Sequence, residues 1–219
     1  MKRRDFSALL ASAPLAGAAG TALAQGPVND KQYNTLGQPL PTTPGKIEVI
    51  EFFWYGCPHC YAFEPAVEAW HKQLPADVTF RKAHVAFRAN VKIHQRMFYA
   101  LESLGKEAQV RPAIFNAMHQ QGQALDDVQS QAKFLSALGV DPAKYQEAYN
   151  SFGVVTKCGQ AEKLSEAYRI DGVPSIGIAG RFLTSPAQAA AGMRVNEVES
   201  GQKALQVTDF LIQRVRSKA

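Results

Sequence analysis

Residues 47–54 are β-branched or aromatic nearly throughout, and Cys57-Pro58-His59-Cys60 follows them at the start of a stretch with helical spacing. A strand apolar on both faces that runs straight into a helix is the building unit of a parallel sheet, so this junction constrains the fold most. The helical spacing over residues 59–73 puts Phe63, Val67 and Trp70 on one stripe, and Pro75 closes it. Residues 78–87 then alternate as a second strand. Strand, crossover helix and strand make a βαβ unit, whose hand is nearly always right.

Two residues between cysteines let both sulfurs meet in the first turn of a helix. Backbone N–H groups there lack intrahelical partners, and the helix dipole favours negative charge, so a thiolate is stabilised. A structural bridge at this spacing would close a tiny loop and remove little entropy from the unfolded chain, which makes a redox disulfide the stronger reading. Cys57, nearest the helix start, is the sulfur that a substrate thiolate attacks, and Cys60, one turn further in, is the resolving thiol. Pro58 presets a helical φ and gives up an N–H that would be unpaired anyway. His59 can place positive charge against the Cys57 sulfur and lower its pKa, each unit being worth about 1.4 kcal/mol in favour of the thiolate. A fold that holds this thiolate better than it holds the disulfide oxidises other thiols. The third cysteine, Cys158, falls with Val154, Val155, Ala161 and Leu164 at helical spacings and reads as a small buried residue, the alternative being a regulatory or mixed-disulfide thiol. His71, His84, His94 and His119 show no zinc-ligand spacing, so neither a metal nor a cofactor is expected. His84 alternates within the second strand as a packed structural histidine. Trp54, Tyr55, Phe63 and Phe87 supply core or an apolar rim near the cysteines.

The basic start Met1-Lys2-Arg3-Arg4, the Ala- and Leu-rich stretch after it and the Ala22-Leu23-Ala24 triplet mark residues 1–24 as a signal peptide. Arg3-Arg4-Asp5-Phe6 fits a twin-arginine signal as well as the general secretory route. Residues 25–219 are long enough for a single domain. The formal charge of +5 includes +2 from the leader, and the remaining Lys and Arg are scattered, which argues against a nucleic-acid surface. A proline-rich lead-in over residues 26–46 holds a short β-like stretch at residues 33–36. Residues 90–168 are helical in pattern: 91–104, 106–121, 126–138, 142–152 and 154–168. Glycines 105, 122 and 139 break them, and Asp126 and Asp141 are expected N-caps. Residues 174–179 and 181–184, joined through Gly180, form a β-hairpin, and an amphipathic helix over residues 201–216 ends the chain, with Ala204, Leu205, Val207, Leu211, Ile212 and Val215 inward. This order gives an α/β thioredoxin-like fold with a large all-helical insertion, about residues 90–168, between a βαβ half and a ββα half.

Glu51 is a carboxylate inside an apolar strand and needs a partner, which Lys82 on the neighbouring strand can be. Together they would form a site beneath Cys60 able to take the proton of the resolving thiol, the alternative being a surface strand charge and a solvated lysine. Glu64, near the end of the helix's first turn, either biases this site or is a solvated first-turn carboxylate.

The string Glu51-Phe52-Phe53-Trp54-Tyr55-Gly56-Cys57-Pro58-His59-Cys60-Tyr61-Ala62-Phe63-Glu64, with Gly172-Val173-Pro174-Ser175 far downstream, resembles the DsbA family of periplasmic disulfide oxidases. The lead-in Lys31-Gln32-Tyr33-Asn34-Thr35-Leu36 and the element order are similar to that family as well. The resemblance implies a periplasmic thiol:disulfide oxidoreductase that donates its Cys57–Cys60 disulfide to reduced, unfolded, newly exported polypeptides. It further implies reoxidation by a quinone-linked membrane partner of the DsbB type, and the same roles for Glu51 and Lys82. A cis proline opposite the cysteines is implied at Val173-Pro174, where the backbone would offer edge hydrogen bonds to an extended substrate. A disulfide isomerase or reductase and a non-catalytic peptide-binding chaperone are the alternatives. No segment is left over for the dimerisation module that an isomerase usually adds, and a monomer is expected.

Overall fold

The computed structural model describes residues 26–217; the expected leader, residues 1–24, lies outside them. Five strands, β1 (Asn34–Thr35), β2 (Ile47–Phe53), β3 (Val78–His84), β4 (Ser175–Ile178) and β5 (Phe182–Thr184), form one sheet in the order β1-β5-β4-β2-β3. β2 and β3 are parallel through the crossover helix α1 (Pro58–His71), and the other neighbours are antiparallel. The insertion comprises α2 (Lys92–Ser103), α3 (Glu107–Gln120), α4 (Val128–Ser136), α5 (Pro142–Asn150) and α6 (Phe152–Tyr168). A short α7 (Pro186–Ala189) and the long α8 (Glu197–Arg216) complete the chain. This is the expected thioredoxin-like α/β arrangement, with the helical insertion between its two halves. No helix of the described residues is long and apolar enough to cross a membrane.

Strand alternation distributes β2 among three cores. Val49 packs with Val67 of α1 and Leu211 of α8, while Ile50 and Phe52 face the opposite side with Ala83 and Tyr168. Phe53, at the strand's end, enters the core of the insertion against Phe98 and Phe115. Each such side chain contributes about 1.5–3 kcal/mol on burial, so the residues leading into the cysteines are firmly anchored in the sheet. Glu51 shares the face of Val49 and Phe53, and its register partner is Lys82.

Several boundaries differ from those expected, each for a local reason. The second strand ends at His84 rather than at residue 87, and Phe87 stands half exposed at the edge of a cleft. Asp127, not Asp126, caps α4, accepting from the N–H groups of Gln129 and Ser130; Asp141 caps α5 as expected. Ser151 caps α6, so Phe152 opens that helix instead of closing α5, and its ring is exposed. Asn196 and Glu199 form a capping box that starts α8 at Glu197, one turn before residue 201. Ser185 and Pro186 start α7, which the sequence pattern did not suggest. In the hairpin turn both Ala179 (φ 53°) and Gly180 (φ 62°) are left-handed, as a two-residue turn between twisted strands requires. A Cβ at Gly180 would lie 2.4 Å from the Leu40 carbonyl oxygen.

Candidate active site

The loop from β2 to α1 is drawn tight. The Trp54 ring lies on Gly56, where a Cβ would come within 2.4 Å of it, and the Cys57 N–H donates to the Trp54 carbonyl at 3.0 Å. Cys57 is thereby the N-cap of α1, in extended conformation (φ −85°, ψ 117°), with Pro58 at the first helical position. Its Sγ accepts from the Cys60 N–H at 3.4 Å. The same sulfur lies 3.4 Å from the Val173 carbonyl oxygen, to which its thiol can donate, and the Val173–Pro174 peptide is cis as expected. Cys57 is 6% exposed and Cys60 0%, so Cys57 is the sulfur a second molecule can reach.

The two thiols are driven apart in acidity. Cys57 is lowered from 9.0 to about 6, first by the hydrogen bond from the Cys60 thiol, against a desolvation that raises it. The N–H groups of Cys60 and His59 lower it further, and the His59 charge comes after these. Cys60 is raised well above its ordinary value by burial and by its hydrogen bond to Cys57. The expected stabilisation of the Cys57 thiolate is therefore present, but the helix terminus and the partner thiol lead it, and His59 is secondary. The reason is geometric: the His59 ring is exposed, and its Nδ1 pairs with Glu197 Oε1 at the start of α8. That hydrogen bond raises the His59 pKa above 6.5. Below pH 6.5 the pair contributes fully to stability, and its contribution fades as pH rises through the raised midpoint. Glu197→Gln is expected to bring the His59 titration, followed by NMR, back towards 6.5; an unmoved midpoint would show that the carboxylate does not hold the ring.

Beneath Cys60, Glu51 and Lys82 are paired as expected, Lys82 Nζ donating to Glu51 Oε2 with both side chains buried. Glu51 Oε1 has no hydrogen-bond partner among the described residues. Burial pushes Glu51 up to about 7 against the pull of Lys82, and its charge raises Cys60 in turn. Burial would lower Lys82, but Glu51 and Glu64 outweigh it and hold the ammonium charged. Glu64 is not solvated: it is buried and accepts from Lys82 at 2.9 Å and from Arg111 at 3.1 Å. Cys60, Glu64 and Glu68 are spaced four residues apart, so one stripe of α1 runs from the resolving thiol to the half-exposed Glu68.

A family model described as a DSBA-like thioredoxin domain matches residues 90–194. The thiol:disulfide interchange protein DsbA of Burkholderia cepacia is 42% identical over 99% of both chains, and that of Pseudomonas aeruginosa is 38% identical over 100% of this chain and 99% of its own. The chain belongs to the DsbA family. The crystal structure of Pseudomonas aeruginosa DsbA overlays with a TM-score of 0.81 at 38% identity, covering 87% of this chain and 95% of that one. DsbA from Xylella fastidiosa gives 0.77 at 27% identity, over 87% and 98%.

On this DsbA-family scaffold two clefts flank the cysteines. One, of about 480 Å³, is lined by His59, Phe63, Val173, Pro174, Pro186 and Glu197. The other, of about 310 Å³, lies between Trp54, Val85, Phe87 and Arg88. Phe87 and Trp54 thus serve as rim, whereas Tyr55 is buried core and donates its hydroxyl to Glu107 at 2.8 Å. His84 is a packed histidine, held neutral by burial, whose Nε2 accepts from the Tyr55 N–H. Cys158 is buried, its thiol raised to about 11, which leaves it unreactive; Val155, expected beside it, is half exposed. Sequence patterns missed Arg111, Glu107, Glu68 and Glu197. The spacing of Glu107 and Arg111, four apart on one helix, was a visible signal, but nothing local told which helix they face.

Proposed function

We propose that this protein acts in the periplasm as a dithiol oxidase, donating the Cys57–Cys60 disulfide to reduced, unfolded exported polypeptides. As a DsbA-family member it is a thiol:disulfide oxidoreductase, and the direction of exchange follows from the divided acidity of its two sulfurs. A substrate thiolate attacks Cys57 Sγ, the Cys57–Cys60 bond breaks, and its electron pair leaves on Cys60, which takes up a proton. A second substrate thiolate then attacks its own sulfur in the mixed disulfide, and Cys57 departs as a thiolate. The substrate loses two electrons, and the protein keeps them as a dithiol. A leaving thiolate with a pKa near 6 makes the last step favourable.

Glu51, poised near neutrality beneath Cys60, serves that sulfur's proton, with Lys82 holding the carboxyl in place. The cleft beside Val173 and Pro174 receives the extended substrate, and Val173 offers it backbone hydrogen bonds. Reoxidation requires a disulfide-bearing or quinone-linked membrane oxidase, and a monomer suffices for every step. Export by residues 1–24 would deliver the chain to the compartment where such disulfides persist. The observation that carries this reading is Cys57 at the N-cap of α1, its sulfur accepting from the Cys60 N–H, set against a fully buried Cys60. Mixing the oxidised protein with a reduced, unfolded two-cysteine substrate is expected to consume substrate thiols stoichiometrically. A protein that remains oxidised while the substrate stays reduced would overturn the oxidase reading.

A further inference from the structure

Asp171 stands three residues before the cis proline and two before Val173, whose carbonyl oxygen lies 3.4 Å from Cys57 Sγ. Two residues of chain span at most about 7 Å, so Asp171 belongs to the same loop as the carbonyl that meets the reacting sulfur. It lines both clefts and therefore occupies the ridge between them. Asp171 is exposed and makes no ion pair or side-chain hydrogen bond among the described residues. Other aspartates of the chain have visible structural work: Asp127 and Asp141 cap helices and Asp77 pairs with Arg216. Asp171 has none, so its charge is free to act on whatever enters the clefts.

The other charges there leave that sign in place. In the larger cleft Glu197 and His59 neutralise one another in part, which leaves Asp171 as the uncompensated charge beside the apolar Phe63, Val173, Pro174 and Val195. Of these two clefts Arg88 lines only the smaller, and also a third cleft with Lys92 and Glu162, while Arg169, two residues before Asp171, lines neither of the two. The face towards the cis proline is thus apolar with a negative rim.

We propose that Asp171 is a specificity-determining residue, selecting substrate segments that carry a lysine or arginine beside the reacting cysteine. The proposal rests on the reading of this cleft as the polypeptide site and names the class of sequence it prefers. A rim charge acts chiefly on association rate and on salt dependence, which sets the form of the test.

Reduced peptides identical except for Lys, Leu or Glu beside one cysteine are mixed with the oxidised protein. Each rate is normalised to that peptide's reaction with a neutral small-molecule disulfide, which removes differences in thiol acidity. At low salt the lysine peptide is expected to react about fivefold faster than the glutamate peptide, the range of two exposed charge contacts. The ratio should fall towards one in 1 M salt, where the Debye length is about 3 Å. Asp171→Asn should shrink the ratio and Asp171→Lys should invert it. Equal normalised rates in the parent protein, or a lysine preference that survives Asp171→Lys, would overturn the proposal and leave the oxidase reading standing. Failure to oxidise any peptide would overturn both.

Discussion

Cys60→Ser, mixed with a disulfide-bonded polypeptide, is expected to accumulate a mixed disulfide through Cys57, whereas Cys57→Ser forms none and loses interchange altogether. The Cys57 thiolate attacks one sulfur of the polypeptide's bridge, the bridge breaks, and the other sulfur leaves as a thiolate. With serine at 60 no second thiol can then resolve the adduct. Cys60 itself cannot substitute as the attacking group, because it is 0% exposed and burial holds its thiol protonated. Non-reducing electrophoresis separates the outcomes. An adduct through Cys60 in Cys57→Ser would reverse the assigned roles, and adducts through Cys158 in either variant would contradict its unreactive environment.

The largest effect on stability is expected at Arg111. Its guanidinium, in the insertion helix α3, donates to Glu107 at 2.8 and 2.5 Å, to Glu64 at 3.1 Å and to Glu68 at 2.6 Å, the last two on α1. Arg111 is the cation that joins the helical insertion to the helix bearing the cysteines. Arg111→Met would leave buried carboxylates uncompensated, a loss of about 3–5 kcal/mol, since a broken buried pair strands its partner. Lys82 still reaches Glu64, which places the loss at the lower end. Arg111→Lys keeps the charge but not the planar fork and should fall between. Urea unfolding measures the differences. A loss under about 1 kcal/mol in Arg111→Met would show that the cluster is solvated and not a structural joint.

The βαβ start, the helical insertion and the final hairpin and helix were all legible in the sequence, because apolar periodicity and Gly or Asp punctuation report local structure directly. The pairing of Glu51 with Lys82 was legible too, since a carboxylate at an inward strand position demands a partner and the parallel neighbour offers one. Glu68, Glu107 and Arg111 were a different case. On a single helix they read as solvent-facing charges, and only the packing of α3 against α1 turns them inward. Glu197 was hidden for a similar reason: 138 residues separate it from His59, and the capping box that puts it at a helix start says nothing of what that start faces. His59 does lower the Cys57 pKa as expected, but its pairing with Glu197 leaves its charge behind the hydrogen bonds from Cys60 and the helix start.

That acidity has a thermodynamic consequence for the reduced protein. An acid whose folded pKa is depressed adds stability above its unfolded value and loses it as pH falls through the folded one. For Cys57 the window runs from about 9 down to about 6, and after allowance for solvent screening the contribution at pH 7 is about 1 kcal/mol. The disulfide form has no thiolate and no such contribution, so reduction becomes easier as pH rises through the window than it would be for ordinary thiols. The most direct test is thiolate absorbance at 240 nm of the fully reduced protein as a function of pH. One sulfur should ionise with a midpoint near 6, absent in Cys57→Ser, while Cys60 stays silent to well above 9. A single transition near 9, unchanged by Cys57→Ser, would contradict the account.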